Sequence, residues 1–184
     1  MSWFDKRIAV RLVAVAALAA ATAGCFQPMY AERGPNGTPG LRDKLSGVEV
    51  PPLNLPNGSR EARVGLEIRN ALMFSMYGAA VGGPTTHRLL MKISTTRLSI
   101  IIDPNTALAN AENYGINATY ELKDNTTDKT VLTGTTFSRV SYDIPGQTQR
   151  FARSRGLRDA EDRAAKVIAE NINQRLASFF AAGT

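Results

Sequence analysis

Residues 114–123 read Tyr-Gly-Ile-Asn-Ala-Thr-Tyr-Glu-Leu-Lys, and this stretch decides the fold. Apolar side chains recur at every second position, and polar or small residues lie between them. This alternation predicts an antiparallel β-strand with one face in the core and the other toward solvent. The residues expected in the core are Tyr114, Ile116, Ala118, Tyr120 and Leu122.

A second long strand is predicted before this one, over residues 88–102. Its apolar residues change parity partway along the strand, so we expect a β-bulge near Thr95-Thr96 that brings them all to one face. These apolar residues are Leu89, Met91, Ile93, Leu98, Ile100 and Ile102.

Two more strands complete the predicted sheet. Residues 130–142 are rich in Thr, Ser and Val, and their length and composition favour a third long strand. Its expected inward residues are Leu132, Val140 and Tyr142. A short strand is predicted at residues 48–50. Because two prolines follow it, and proline has no N–H to donate, we expect this strand at an edge of the sheet.

Two amphipathic helices are predicted from apolar residues at helical spacing. The first begins after Ser59, a good N-cap residue, and ends at Tyr77-Gly78. Its apolar stripe is Val64, Ile68, Leu72 and Met76. The last helix runs from about Leu157 to Ala181, with charged pairs expected between Asp159 and Arg163 and between Asp162 and Lys166. Its apolar stripe is Leu157, Ala160, Ala164, Ile168, Ile172, Leu176 and Phe179.

The resulting order is β-α-β-β-β-α. It predicts an α+β fold, a two-layer sandwich in which two helices cover one face of a mostly antiparallel sheet of about four strands. We expect this single domain to span residues 47–184.

The first 24 residues have the features of a secretory signal peptide. A basic start is followed by the apolar run of residues 12–21, which is too short to span a bilayer. Ala23-Gly24-Cys25 then resembles a bacterial lipobox, so we predict that Cys25 becomes the lipidated N-terminus. An ordinary signal peptide is the alternative, but it leaves the position of the only cysteine unexplained. Residues 25–46, rich in Pro and Gly, are expected to form a flexible tether to the membrane.

Charge limits the possible partners. The formal net charge is +6, and removal of residues 1–24 takes away three basic residues and one acidic residue, which leaves +4. This modest excess suits a phosphorylated partner such as a lipid head group. The chain lacks the dense basic stripe that binds nucleic acid, so we expect no nucleic-acid partner.

The inventory of side chains argues against an enzyme or a metal protein. His87 is the only histidine, and no serine lies in a nucleophile-elbow motif. Asp159, Glu161 and Asp162 could suggest a cation site, but they alternate with arginines at the start of a helix, where a solvated face is the favoured interpretation. We expect no catalytic residues, no metal and no cofactor.

Several short motifs, in this order, resemble the lipopolysaccharide-assembly lipoprotein LptE of alphaproteobacteria. Residues 25–30, Cys-Phe-Gln-Pro-Met-Tyr, resemble the start of the mature family sequence, although the family's glycine after cysteine is missing. Arg69-Asn70-Ala71-Leu72 is similar to the family's Arg-Asn-x-Leu. Residues 118–122, Ser141-Tyr142 and the charged residues 159–164 add further similarity.

This resemblance implies a plug-like subunit within the outer-membrane β-barrel LptD, as a heterodimer that helps the barrel fold and delivers lipopolysaccharide to the outer leaflet. It also implies an outer-membrane location, with the domain facing the periplasm or lying in the barrel lumen. In enteric lipoproteins, an Asp directly after the lipidated cysteine favours retention in the inner membrane. This chain has Phe26 at that place, which agrees with an outer-membrane location. Two other roles remain open: an auxiliary lipoprotein of a phospholipid-transporting ABC system, and a structural envelope lipoprotein without a ligand.

The resemblance further implies that basic residues contact lipopolysaccharide. The densest basic stretch contains Arg150, Arg153 and Arg155. A guanidinium group suits phosphate because it can donate to two of its oxygens at once. The loop at residues 103–113 contains no Lys or Arg. The alternative is that the three arginines solvate a loop or contact acidic groups of the barrel.

Overall fold

The computed structural model describes residues 39–78, 84–102, 109–144 and 150–182, together with Arg11. The predicted signal peptide, Cys25 and most of the predicted tether lie outside these residues. Seven elements follow in chain order: α1 (Leu41–Ser46), β1 (Val48–Glu49), α2 (Arg60–Tyr77), β2 (His87–Ile102), β3 (Ala109–Asp124), β4 (Thr130–Asp143) and α3 (Arg150–Ala182). The predicted α+β fold is confirmed, with α1 as an additional short helix.

The four strands form one mixed sheet in the order β1-β2-β3-β4. β1 pairs with β2 in parallel, while β2, β3 and β4 form an antiparallel meander. The five apolar residues predicted for the core face of β3 are all buried. β1 lies at the edge, as expected from the prolines that follow it.

The bulge predicted at Thr95-Thr96 is wrong. Pairing of β2 with β3 continues without a shift from His87 to Ser99, and the irregularity lies between Ser99 and Ile102. Uninterrupted pleating keeps the even-numbered residues of β2 on the face away from the helices. Leu98 and Ile100 are consequently 66% and 48% exposed.

The helices cover the other face of the sheet. The Oγ of Ser59 accepts a hydrogen bond from the Ala62 N–H at 3.0 Å, which confirms the predicted cap of α2. The predicted stripe of α2 is buried, as is that of α3 except for the half-buried Phe179. α2 packs mainly against α3, and α3 packs against β3 and β4.

The structure corrects the assignment of residues 41–46 to the tether. They form α1, whose Leu41 and Leu45 are buried in the core. Lys44 Nζ donates a hydrogen bond to the Phe180 carbonyl at 3.1 Å, which fastens α1 to the end of α3. The folded part of the chain therefore begins before Gly47.

Side chains of α2 hold the segment around β1 in place. Arg69 Nε donates to the Val50 carbonyl at 2.8 Å, and the Tyr77 hydroxyl donates to the Val48 carbonyl. Arg69 belongs to the Arg-Asn-x-Leu motif, so this motif residue supports the fold directly.

Candidate ligand-binding site

Arginines concentrate where α2 and α3 begin and where β2 ends. These elements meet because β2 finishes beside the start of β3, because the start of β3 pairs with the end of β4, and because α2 packs against α3. The arginines in this region whose side chains are described are Arg60, Arg63, Arg97, Arg153, Arg155 and Arg158. We call this region the arginine end.

Arg153 is fixed by a buried carboxylate. Its Nη2 lies 3.0 Å from Glu112 Oε1, and the Tyr142 hydroxyl donates a hydrogen bond to Glu112 Oε2. Glu112 and Tyr142 are both buried. Burial, followed by the hydrogen bond and the charge of Glu112, raises the pKa of Tyr142 to about 12. The hydroxyl therefore keeps its proton at neutral pH and remains a donor.

The structure does not gather the three predicted arginines on a loop. α3 begins at Arg150, seven residues before the predicted start, so the stretch is helical. Arg153 and Arg155 are two residues apart, which places them about 200° apart around the helix. Arg155 is exposed and has no carboxylate partner among the described residues. The side chain of Arg150 lies outside the described part.

Glu161 contradicts the prediction of a solvated acidic face. Its side chain is only 1% exposed and lies between α2 and α3. Oε2 contacts a terminal nitrogen of Arg63, and Oε1 lies 3.3 Å from Arg60 Nε. Arg63 also donates to Asp162 at 3.2 Å, in place of the predicted pairing with Lys166. This acidic residue therefore serves as an electrostatic clamp between the two helices.

Other sequence predictions can be placed as well. The Arg163–Asp159 pair is present, with 2.7 Å between Nε and Oδ2. His87 lies at the opposite end of β2, edge-on to Phe180, and burial lowers its pKa despite the charge of Asp124. Within the described ranges, no cluster of His, Cys, Asp and Glu is arranged to hold a metal ion. No described helix is long and apolar enough to cross a membrane.

Two cavities open at the arginine end and share Arg60. One, of about 730 Å³, lies between the starts of α2 and α3 and is bordered by Arg63, Arg158 and the buried Glu161. The other, of about 530 Å³, lies between the start of α2 and the end of β2 and contains Arg97. Both therefore present guanidinium groups, the side chains best suited to phosphate or carboxylate.

Sequence reasoning missed the carboxylates that organise this region, although a signal was present. Glu112 has the same parity as the buried residues of β3, which predicts an inward side chain that needs a partner. Glu161 follows Leu157 by four residues and therefore lies on the buried stripe of α3. The position of Arg97 beside the smaller cavity had no comparable signal, because it depends on how β2 meets α2.

Solved structures with similar folds include two bacterial lipoproteins. The crystal structure of a lipoprotein from Caulobacter crescentus CB15 matches with a TM-score of 0.60 and 22% identity, over 78% of this chain and 97% of that one. The rare lipoprotein B from Shewanella oneidensis matches with a TM-score of 0.52 and 14% identity, over 73% and 95% of the two chains. At these identities the likeness shows a shared fold.

No curated protein matches the sequence significantly. The family model for LptE, described as lipopolysaccharide-assembly, matches residues 45–176. This range runs from the last turn of α1 through most of α3 and includes the arginine end together with its buried carboxylates. The chain therefore belongs to the LptE family of lipopolysaccharide-assembly lipoproteins.

Proposed function

We propose that this protein is an outer-membrane lipoprotein that partners an LptD-type β-barrel in delivering lipopolysaccharide to the outer leaflet. The observation that carries this proposal is the family match over residues 45–176. In this role the domain acts as a plug and a folding aid for the barrel and binds lipopolysaccharide, with no catalytic step and no cofactor. An acylated Cys25 anchors it to the membrane.

The surface of the domain offers one region for a barrel wall and another for a phosphorylated lipid. The sheet face away from the helices carries exposed polar side chains, such as Thr119 and Asn117, beside exposed apolar ones, such as Leu98 and Phe137. A barrel wall that covered this face would bury the apolar side chains. The arginine end offers donors for the phosphates of a glycolipid.

Co-purification tests the partnership. The tagged full chain would be extracted in detergent from the outer membrane, and its partners identified by mass spectrometry. We expect a large β-barrel protein at one-to-one stoichiometry. An inner-membrane transporter complex would instead assign the protein to phospholipid transport, and purification without any partner would leave a structural envelope role.

We propose that lipopolysaccharide is contacted by Arg150, Arg153 and Arg155. Substitution of Arg153 should have a further consequence, because this residue also pairs with the buried Glu112. The double variant Arg150→Ala/Arg155→Ala should weaken lipopolysaccharide binding at least tenfold, because charged hydrogen bonds contribute about 1.5–3 kcal/mol each. Its melting temperature should stay unchanged. Arg153→Ala should also lower the melting temperature, since it leaves Glu112 with only the Tyr142 hydrogen bond.

Arg139→Ala is the matched control for these variants. It removes one positive charge, as each single substitution does, from an exposed position on the opposite sheet face, where the guanidinium lies over the Phe137 ring. Lipopolysaccharide affinity that is equal in the double variant and the wild type would exclude Arg150 and Arg155 as contacts. A loss of the barrel partner with unchanged lipopolysaccharide affinity would place them at the protein interface.

A further inference from the structure

The sheet has an open edge along β4. Among the described strands, β4 pairs only with β3, so no strand lies along its other side. The pairing with β3 shifts register between Leu122 and Lys123, which places a bulge at the start of β4. At the other end, α3 approaches the strand, and a Cβ on Gly156 would lie 3.5 Å from the Asp143 carbonyl oxygen. The regular, open part of the edge therefore covers residues 132–140.

Every second residue of β4 directs its backbone groups out of this edge. In an antiparallel strand, the N–H and C=O of one residue point to the same side, and those of the next residue point to the other. The Ser138 carbonyl oxygen lies toward β3, 3.8 Å from where a Cβ on Gly115 would stand. The Ser141 carbonyl oxygen instead accepts a hydrogen bond from Arg163 of α3 at 3.4 Å. Odd-numbered residues thus face outward, and those without a backbone partner among the described residues are Thr133, Thr135, Phe137 and Arg139.

This edge lacks the features that usually keep the edges of two sheets apart. Residues 132–140 contain no proline and no carboxylate, and Arg139 is their one charged residue. Phe137, beside it on the outer face, is 64% exposed. Proteins commonly protect an edge with charges, proline or a covering segment, because unpaired N–H and C=O groups recruit another strand. The edge is therefore suited to pairing with a strand of another molecule.

The flank of α3 beside the edge is also suited to a partner. Asn171 Nδ2 donates to Thr136 Oγ1 at 3.0 Å, so the side of α3 that carries Asn171 borders β4. The exposed residues along this side are uncharged and follow helical spacing: Val167, Asn171, Gln174 and Ser178. Neighbouring exposed positions of the helix carry charges, as at Lys166, Glu170 and Arg175. Because the cores of interfaces are depleted of charge, this flank extends the surface that the edge offers.

We propose that this edge binds the same edge of a second copy of the chain. The four outward-facing residues are symmetric about Thr136, so a two-fold axis at that residue pairs them all in an antiparallel register. Thr133 then lies opposite Arg139 of the second copy, and Thr135 lies opposite Phe137 of the second copy. This register forms about eight backbone hydrogen bonds and opposes no like charges.

A self-pairing edge explains why the second copy is the fitting occupant. Moving the axis by one residue to Thr135 would oppose Arg139 to Val131, which lies at the bulge. Moving it to Phe137 would oppose Thr133 to Ser141, whose carbonyl oxygen is already bound by Arg163. The dimer describes copies of the chain outside a barrel and does not rest on the proposed partnership.

A thiol on the two-fold axis tests the register. The two copies of Thr136 face each other in a non-hydrogen-bonded pair, with Cα atoms about 4.5 Å apart, which is within the range for a disulfide. The full chain, overproduced and extracted in detergent, would be treated with a mild thiol oxidant. Thr136→Cys should give a disulfide-linked dimer. Thr133→Cys, on the same strand but far from its own copy, should stay monomeric on a non-reducing gel, as should the wild type with its acylated Cys25.

Proline at the edge tests the pairing without a thiol. Thr135→Pro removes an N–H that points away from β3, so the fold should remain intact and the melting temperature should stay close to that of the wild type. Each copy loses one bond to its partner, and the ring obstructs the approach of the other strand. We expect the association constant, measured by sedimentation equilibrium in density-matched detergent, to fall at least tenfold.

The outcomes separate this interface from the proposed function. A wild-type chain that is monomeric in detergent, or equal crosslinking of Thr136→Cys and Thr133→Cys, would overturn the dimer. Association unchanged in Thr135→Pro would do the same. Crosslinking of Thr136→Cys to a larger protein would assign the edge to that protein and overturn the second copy as its occupant. Co-purification of a barrel with a chain that never self-associates would overturn the dimer and leave the proposed function standing.

Discussion

Single residues at the arginine end divide into those that hold the fold and those available to a ligand. Glu112 and Glu161 are buried carboxylates whose arginine partners reach them from another element. These arginines stay partly in water while their carboxylates do not, so each pair links the surface to the core. Arg97 and Arg155 lack such a partner among the described residues, and this difference decides which substitutions should affect stability and which should affect binding.

The clamp at Glu161 leads to a prediction of stability. Glu161→Gln removes the negative charge between Arg60 and Arg63 and should lower the free energy of unfolding by about 2–3 kcal/mol. This is less than for a fully buried pair, because both arginines are partly exposed. Urea unfolding would measure the change.

Asp159→Asn provides the comparison for this variant. It removes a carboxylate that pairs with Arg163 in an exposed position of the same helix, and the expected change is within about 0.5 kcal/mol. Equal stability of the two variants would show that Glu161 makes no special contribution to joining α2 and α3.

At the scale of elements, the spacing of apolar residues and the capping signal correctly predicted the features that depend on side chains close in sequence. The alternation in β3, the cap at Ser59 and the stripe of α2 depend on side chains close in sequence, and all are confirmed. The bulge in β2 was wrong because Leu98 and Ile100 were assumed to be buried, whereas pairing with β3 holds the register and leaves them exposed. The arginine end could not be predicted, since its pairs join residues of different elements.

The helix α1 could not be predicted for the same reason, because it depends on contacts with residues of other elements. Its six residues are too few for a stable isolated helix, and they fold because Leu41 and Leu45 pack into the core. Leu45→Ala should therefore lower the free energy of unfolding by about 2–4 kcal/mol. Arg42→Ala, at an exposed position of the same helix, should have little effect.

A pair of truncated chains extends this prediction. A chain that starts at residue 39 should unfold cooperatively on heating, and one that starts at residue 47 should melt at a clearly lower temperature. Equal melting temperatures of the two chains would mean that α1 adds nothing to the fold.

At the scale of the whole molecule, the proposed anchor and the domain have separate tasks. The domain has its own core, and the lipid on Cys25 would hold it at the membrane, since two or three acyl chains are needed for stable attachment. Cys25→Ser should prevent acylation and lipoprotein processing, so that residues 1–24 stay attached to the chain. Intact mass of the membrane-bound wild-type chain checks this, and a mature form without acyl groups would refute the anchor.

The hydrogen bond between Lys44 and the Phe180 carbonyl joins residues 136 positions apart. Closing so long a loop costs conformational entropy, whereas the β2-β3-β4 meander connects neighbouring segments and is expected to form earlier. α1 packs against α2 as well as against the end of α3, so its packing is complete only once the end of α3 has formed. If the chain is exported N-terminus first, as the proposed signal peptide requires, completion of the core around Leu41 and Leu45 waits for the end of α3.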